Sequence, residues 1–384
     1  MSLADRLHHI APFRVMDILG RAKAMQASGA DVIHMEVGEP DFTAPTQVLR
    51  AAEASLQKAQ THYTAAAGLP QLREAIARYY ADHFGISINA KRIVITPGAS
   101  GALQLILGVL VNPGDKIWVQ DPGYPCNRHM ITMFGGEAQA LPSDNALLNV
   151  DASAQAITKA SLKAMLVATP ANPTGQVLSA FELGSLITAC RSANTLPIVD
   201  EIYQGLQYDS SPTTALSFDH DDLFVINSFS KFFGMTGFRV GWLVAPEAYV
   251  EPIERLAQNL FLAPPTIAQY AALAALTDEV RPELLRRRDV LHERRDRLYA
   301  GLKNAGFALS GSKPGGAFYI YAKLPEGFND GISFAERALN EAHVAITPGA
   351  DFGFNDTSDY IRFAYTTDID RIDEAVGRLK VLLG

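Results

Sequence analysis

The sequence predicts an α/β fold: a large domain with a mostly parallel, doubly wound sheet covered by helices, joined to a smaller α+β domain. From about residue 45 to 275, helical stretches alternate with short β-rich runs, as strand-helix-strand crossovers require. Several of those runs are apolar at successive rather than alternate positions, so both faces of their sheet must be covered. Reactive polar residues, Ser228, Ser230 and Lys231 foremost, fall at turns where predicted strands end. That is the edge at which open α/β sheets bind ligands.

The predicted strands of the large domain are residues 93–96, 116–120, 164–168, 197–200, 223–227 and 240–244, each rich in Val, Ile, Leu or Ala and bounded by turn residues. A charged helix near 283–303 follows. Within it, segment 286–297 alternates acids with bases at helical spacing while Val290, Leu291 and Leu298 occupy another face, a pattern expected of a solvated helix laced with ion pairs. Runs at 306–310, 316–324, 344–347 and 360–365 then predict the strands of the smaller lobe.

The 384 residues, 48% of them hydrophobic, suffice for a large core in two lobes. A formal charge of −8, with no basic run interleaved with aromatics, argues against a nucleic-acid partner. No stretch approaches 18 consecutive apolar residues, and residues 1–6 lack the apolar core of a signal peptide, so a cytoplasmic protein without membrane attachment is expected. Cys126 and Cys190 are too few and too unpatterned for a disulfide framework or a metal site, which leaves small buried filler as their expected role and no metal as a cofactor.

Lys231 sits in Ser228-Phe-Ser-Lys-Phe-Phe-Gly-Met-Thr-Gly-Phe-Arg-Val-Gly241, between two predicted strands. A lysine desolvated at a strand end near other cations loses proton affinity and becomes a nucleophile able to hold a cofactor carbonyl as a Schiff base. Ser228, Ser230 and the fork of Arg239 suit a phosphate on the same cofactor.

With these offsets, serine three before and arginine eight after the lysine, the chain resembles the class I/II aminotransferases of fold type I, which depend on pyridoxal 5′-phosphate, and the resemblance covers nearly its whole length. It implies a large cofactor-binding domain over 45–280, with 1–44 and 281–384 forming the small domain, the N-terminal segment crossing over to pack with the C-terminal lobe. It also implies a homodimer with the site between the lobes and at the dimer seam.

The other motifs take expected roles from the resemblance and from their own chemistry. Thr96-Pro-Gly-Ala-Ser-Gly101 follows a strand and opens a helix, so Gly98, Ala99 and Ser100 would face the phosphate. Asp200 ends a buried strand, where a carboxylate needs a partner; it resembles the acid that keeps the pyridine nitrogen protonated and the ring a good electron sink. Tyr203 and Asn172, the latter in Ala171-Asn-Pro-Thr-Gly175, would donate to the phenolic oxygen, and Tyr124 would stack on the ring. Arg362, in Tyr360-Ile-Arg-Phe-Ala-Tyr365, matches the arginine that grips the substrate α-carboxylate, with Gly38 and Asn172 adding contacts. Tyr63 matches a tyrosine that reaches the neighbouring subunit's phosphate.

The reaction so implied moves an amino group from an L-amino acid to a 2-oxo acid, 2-oxoglutarate or pyruvate, by a ping-pong route in which Lys231, Asp200 and Tyr203 carry the chemistry. A C–S lyase of the cystathionine β-lyase type would use the same lysine and remains the alternative. One bacterial aspartate-specific subgroup carries a lysine where Ser100 stands; its absence weakens a dicarboxylate preference and leaves Arg128 and Arg14 as the basic residues able to read a side-chain acid.

Overall fold

A computed structural model describes residues 3–218, 221–311, 313–355 and 357–384. Among these, a seven-stranded sheet forms the centre, in the order Ile93–Thr96, Gly241–Val244, Phe224–Ser228, Leu196–Asp200, Ala164–Ala168, Lys116–Val119 and Glu137–Ala140. Gly241–Val244 runs antiparallel to both neighbours, and the remaining pairings are parallel. Ala164–Ala168 and Phe224–Ser228 are buried at every position, the result expected of strands that helices cover on both faces. The fold is the predicted α/β class.

The six predicted strands of this sheet form within one residue of their expected limits. The seventh, Glu137–Ala140, is absent from the prediction because Glu-Ala-Gln-Ala has low strand propensity and lies half-buried at the sheet edge. A hairpin of Ser143–Asp144 with Leu147–Leu148 is a further addition to the predicted elements.

In the smaller lobe, Ala308–Leu309, Tyr319–Lys323, Tyr360–Ala364 and Thr347–Pro348 form a four-stranded antiparallel sheet. The run expected as one strand at 344–347 is two. Val344–Ala345 pairs in parallel with Ile33–His34 from the N-terminal segment, and Thr347–Pro348 pairs with Tyr360–Ala364. Ile346, fully buried, marks the change of partner.

The helix Arg281–Asn304 departs from a wholly solvated reading. Glu283 holds Arg286 and Arg287 at 2.8 Å each on the exposed side, as expected. Arg294 and Arg295, however, are 4% and 1% exposed. Arg294 pairs with Asp41 at 2.8 Å and Asp368 at 2.9 Å, and Arg295 with Asp209 at 2.5 Å while donating to the Pro314 carbonyl at 2.9 Å. These charges are tolerated inside because every one has an anionic partner. Cys190 is buried, whereas Cys126 is only half-buried, and both are free thiols. Among the described residues no helix is long and apolar enough to cross a membrane.

Candidate active site

The C-terminal ends of the central strands open into a cavity of about 1200 Å³ including its mouth, and Lys231, Asp200, Arg239 and Arg362 all line it. Phe224–Ser228 delivers Ser228, whose Oγ donates to the Ser230 Oγ at 3.0 Å and accepts from the Ser230 amide at 3.1 Å. That turn presents Ser230 and Lys231 to the cavity with Ser228 supporting them from behind.

Arg239 lies in the left-handed region (φ 53°), uncommon for a residue with a side chain, and donates to the Thr236 carbonyl at 3.0 Å. Its guanidinium lies against Gly98, where a β-carbon would come within 2.5 Å of Nη2. Gly98, itself at φ 72°, opens the helix Gly98–Leu110, so Ala99 and Ser100 at that N-terminus share the cavity wall with Ser230 and Arg239. Hydroxyls, the amides of a helix N-terminus and a cation come together there, the donor set a phosphate requires.

Across the cavity, Asp200 ends its strand and accepts from the Ile202 amide at 3.0 Å. Burial pushes its carboxyl up to about 6, against the pull of that amide and of Lys231. A partly buried acid in this state gains from a cationic partner, and a protonated pyridine would supply one. Behind it, the buried Glu201 accepts from the Ala215 amide (2.6 Å), Thr214 Oγ1 (2.9 Å) and Gln204 Nε2 (2.9 Å). Gln204 in turn accepts from Asn227 Nδ2 at 3.1 Å, and Asn227 accepts from the Ser228 amide at 2.7 Å. One buried chain of hydrogen bonds therefore fixes the Asp200 and Ser228 strand ends relative to each other.

Between the two ends, Lys231 Nζ donates to the Gly38 carbonyl at 2.5 Å and lies 5.9 Å from the Tyr203 ring centre. Desolvation, helped by Arg362 and Arg239, lowers its pKa to about 8, while Glu39 and Asp200 oppose the fall. Tyr124 lines the cavity, and the Phe13 ring meets it edge-on at 6.2 Å.

The far end belongs to Arg362, 2% exposed on Tyr360–Ala364. It donates to Asn172 Oδ1 at 3.0 Å and to the Glu36 carbonyl, and its Cζ sits 4.4 Å from the Tyr319 ring centre and 4.6 Å from that of Phe352. Its Nε has no hydrogen-bond partner among the described residues. A buried guanidinium held between two rings, with donor capacity left over, is prepared for an anion.

Tyr319 is the residue absent from the expected set. Its hydroxyl is 2.8 Å from that of Tyr203, and a β-carbon on Gly38 would overlap it. Tyr321 pairs directly with Arg362, so Tyr319, two positions away, shares the arginine's face. Alternation within the predicted strand 316–324 marks that face, but only the register shows that it meets Arg362.

Two expectations place residues elsewhere. Tyr63 is 81% exposed and does not line the cavity of its own chain. Arg14 and Arg128 are also absent from the wall: Arg14 pairs with Asp351 at 3.3 Å, and Arg128 donates to the Asp351 carbonyl at 2.8 Å.

Comparison with known proteins agrees with this architecture. Residues 30–379 match the family described as aminotransferase class I and II. The chain is 34% identical over 385 residues to a (5-formylfuran-3-yl)methyl phosphate transaminase of Methanocaldococcus jannaschii, covering 99% of each. It is 33% identical over 372 residues to a valine–pyruvate aminotransferase of Mycobacterium tuberculosis, covering 96% of each. The crystal structure of an aminotransferase from Mycobacterium tuberculosis superposes with a TM-score of 0.94 at 32% identity, over 100% of this chain and 99% of that one. A partly buried amine of lowered basicity in one cavity with a phosphate-type donor set and a caged arginine, on this fold and with these relatives, makes the chain a member of the class I and II aminotransferases, enzymes that transfer amino groups with pyridoxal phosphate.

Proposed function

We propose that Lys231 is the catalytic amine of an aminotransferase that takes an amino group from an L-amino acid and passes it to 2-oxoglutarate or pyruvate in two half-reactions. The observation that carries this is the lysine itself. Its pKa near 8 leaves a substantial neutral fraction at physiological pH, and its Nζ faces the cavity between Asp200 and Arg362. Bound pyridoxal phosphate would supply the aldehyde and the electron-withdrawing ring that weakens the substrate Cα–H bond.

The chain's own groups do the rest. Ser100, Ser230 and Arg239 hold the phosphate, with Gly98 and Ala99 giving it room and Ser228 orienting Ser230. Asp200 would keep the ring nitrogen protonated, Tyr203 and Asn172 would donate to the phenolic oxygen, and Tyr124 would stack on the ring. Arg362, Asn172 and the Gly38 backbone would hold the α-carboxylate, and the Lys231 amine, in the same cavity, would act as base and then as acid.

The small domain is taken as 1–44 with 281–384, and 45–280 as the cofactor domain; the pairing of Ile33–His34 with Val344–Ala345 supports the crossover. The high exposure of Tyr63 supports a homodimer in which it completes the neighbouring phosphate site. A cytoplasmic location is part of the same proposal.

Lys231→Ala tests the assignment. Borohydride reduction of the cofactor-loaded protein should leave a covalent adduct on Lys231, and the variant should lose both the adduct and roughly 10⁴-fold or more of the turnover. Full activity without Lys231 would overturn it.

A further inference from the structure

The identity of the amino donor turns on what surrounds the cavity beyond Arg362. Among the described residues lining it, the cationic side chains are Lys231, Arg239 and Arg362. All three are already committed, Lys231 as the amine, Arg239 to the phosphate and Arg362 to the α-carboxylate. Of the wall residues not assigned to the cofactor or the α-carboxylate, Phe13, Val15, Met16, Val37 and Met130 are apolar, and the polar Asn127 and Thr236 are neutral.

Asp351 holds that wall in place. It is 4% exposed, and its Oδ2 accepts from the Val15 amide at 3.2 Å while Oδ1 pairs with Arg14 at 3.3 Å. Its carbonyl takes Arg128, whose guanidinium also lies 5.8 Å from the Phe354 ring centre. The same aspartate thus seats the first turn of the helix Arg14–Ala27, with Val15 and Met16 on the cavity, and engages Arg14 and Arg128, the two basic residues considered for a second carboxylate. Thr236, which lines the cavity, donates through Oγ1 to Glu39 at 2.5 Å, so the side chain next to the wall on that side is an acid.

A second copy would not change the balance through its Tyr63 face. Thr266 Oγ1 donates to the His62 carbonyl at 2.8 Å, so the loop around residues 260–266 packs on the Tyr63 loop, and neither 59–66 nor 260–266 contains lysine or arginine.

We infer that the donor is an amino acid with an uncharged, apolar side chain, aliphatic or aromatic, and that dicarboxylic donors are disfavoured because their second carboxylate would be desolvated against this wall with no uncommitted cation among the described residues to receive it. The inference rests on the aminotransferase reading of the site.

The test uses the cofactor-loaded enzyme without any keto acid, following the absorbance change of a single half-reaction with leucine, methionine, phenylalanine, aspartate and glutamate. The apolar donors should react with a specificity constant roughly 10- to 200-fold above the acidic ones. A binding measurement free of turnover accompanies it: 4-methylpentanoate and 3-phenylpropanoate should perturb the cofactor spectrum at concentrations at least about tenfold lower than succinate. Conversion by aspartate or glutamate as fast as by the apolar donors, or succinate binding as tightly, would overturn the inference and leave the aminotransferase reading standing. Failure of every donor to convert the cofactor would overturn both.

Discussion

The two ends of the cavity are built in opposite ways. At the phosphate end, Ser228, Ser230 and Arg239 lie within one short segment, and Gly98 to Ser100 open one helix. Turn geometry and a helix N-terminus place them, with the sheet as a shared base. At the carboxylate end, Arg362 meets the Glu36 carbonyl 326 positions away and Asn172 190 positions away, and it is caged by Tyr319 and Phe352. Nothing local fixes that cluster: the smaller lobe's own sheet sets Tyr319 beside Arg362, and the docking of that lobe on the large one adds Asn172. The cofactor end should therefore tolerate changes at the lobe boundary that the substrate end does not.

Exchanging each arginine for lysine tests that division most severely. Arg362→Lys removes the planar fork and should raise the half-saturating amino acid concentration about 10- to 100-fold, the equivalent of about 1.5–3 kcal/mol for a charged hydrogen bond, with cofactor affinity little changed. Arg239→Lys should do the reverse, weakening cofactor binding in a spectral titration while sparing the half-saturating amino acid concentration. If both variants moved both quantities alike, the two ends would be one coupled unit.

The next effect is in pH. Because the Lys231 pKa is lowered from 10.5 to about 8, the amine is protonated and unreactive below that value and free above it. The rate at which cofactor-free protein takes up pyridoxal phosphate should rise about tenfold per pH unit below 8 and flatten above it. A flat profile from about pH 6 to 8 would mean that burial does not set the lysine's basicity.

The smallest effect belongs to Gly98→Ala. The left-handed backbone and the Arg239 guanidinium both oppose a β-carbon there, so unfolding stability should fall by about 1 kcal/mol, and the variant should also bind cofactor more weakly through the displaced arginine. An unchanged melting curve would show that the guanidinium moves aside freely.

Much of this architecture is legible in the sequence. The strands of the central sheet are visible because buried parallel strands need unbroken apolar runs, and Glu137–Ala140 is hidden because an edge strand does not. Lys231 and Asp200 stand out because a charged side chain at the end of an apolar run is expensive without a function, and Arg239 because its fork, eight residues after the lysine, suits a phosphate. Tyr319 carries no such cost; a tyrosine in a buried strand reads as core. Arg294 and Arg295 look solvated for a related reason, since their partners Asp41 and Asp209 lie more than 80 positions away.

The amino-acid order by itself determined the α/β class, the strand-end location of the reactive groups and the phosphate-type donor set, since periodicity, turn chemistry and the preferences of a helix N-terminus act over a few residues. Tertiary structure alone decided that Tyr319 stands beside Arg362, that Arg14 and Arg128 are engaged by Asp351, and that Phe13, Val15 and Met16 line the cavity. Those outcomes depend on which segments distant in the chain come into contact, within the smaller lobe for Tyr319 and Arg14 and across the lobe boundary for Arg128, and such contact energies are realised only once the chain has packed.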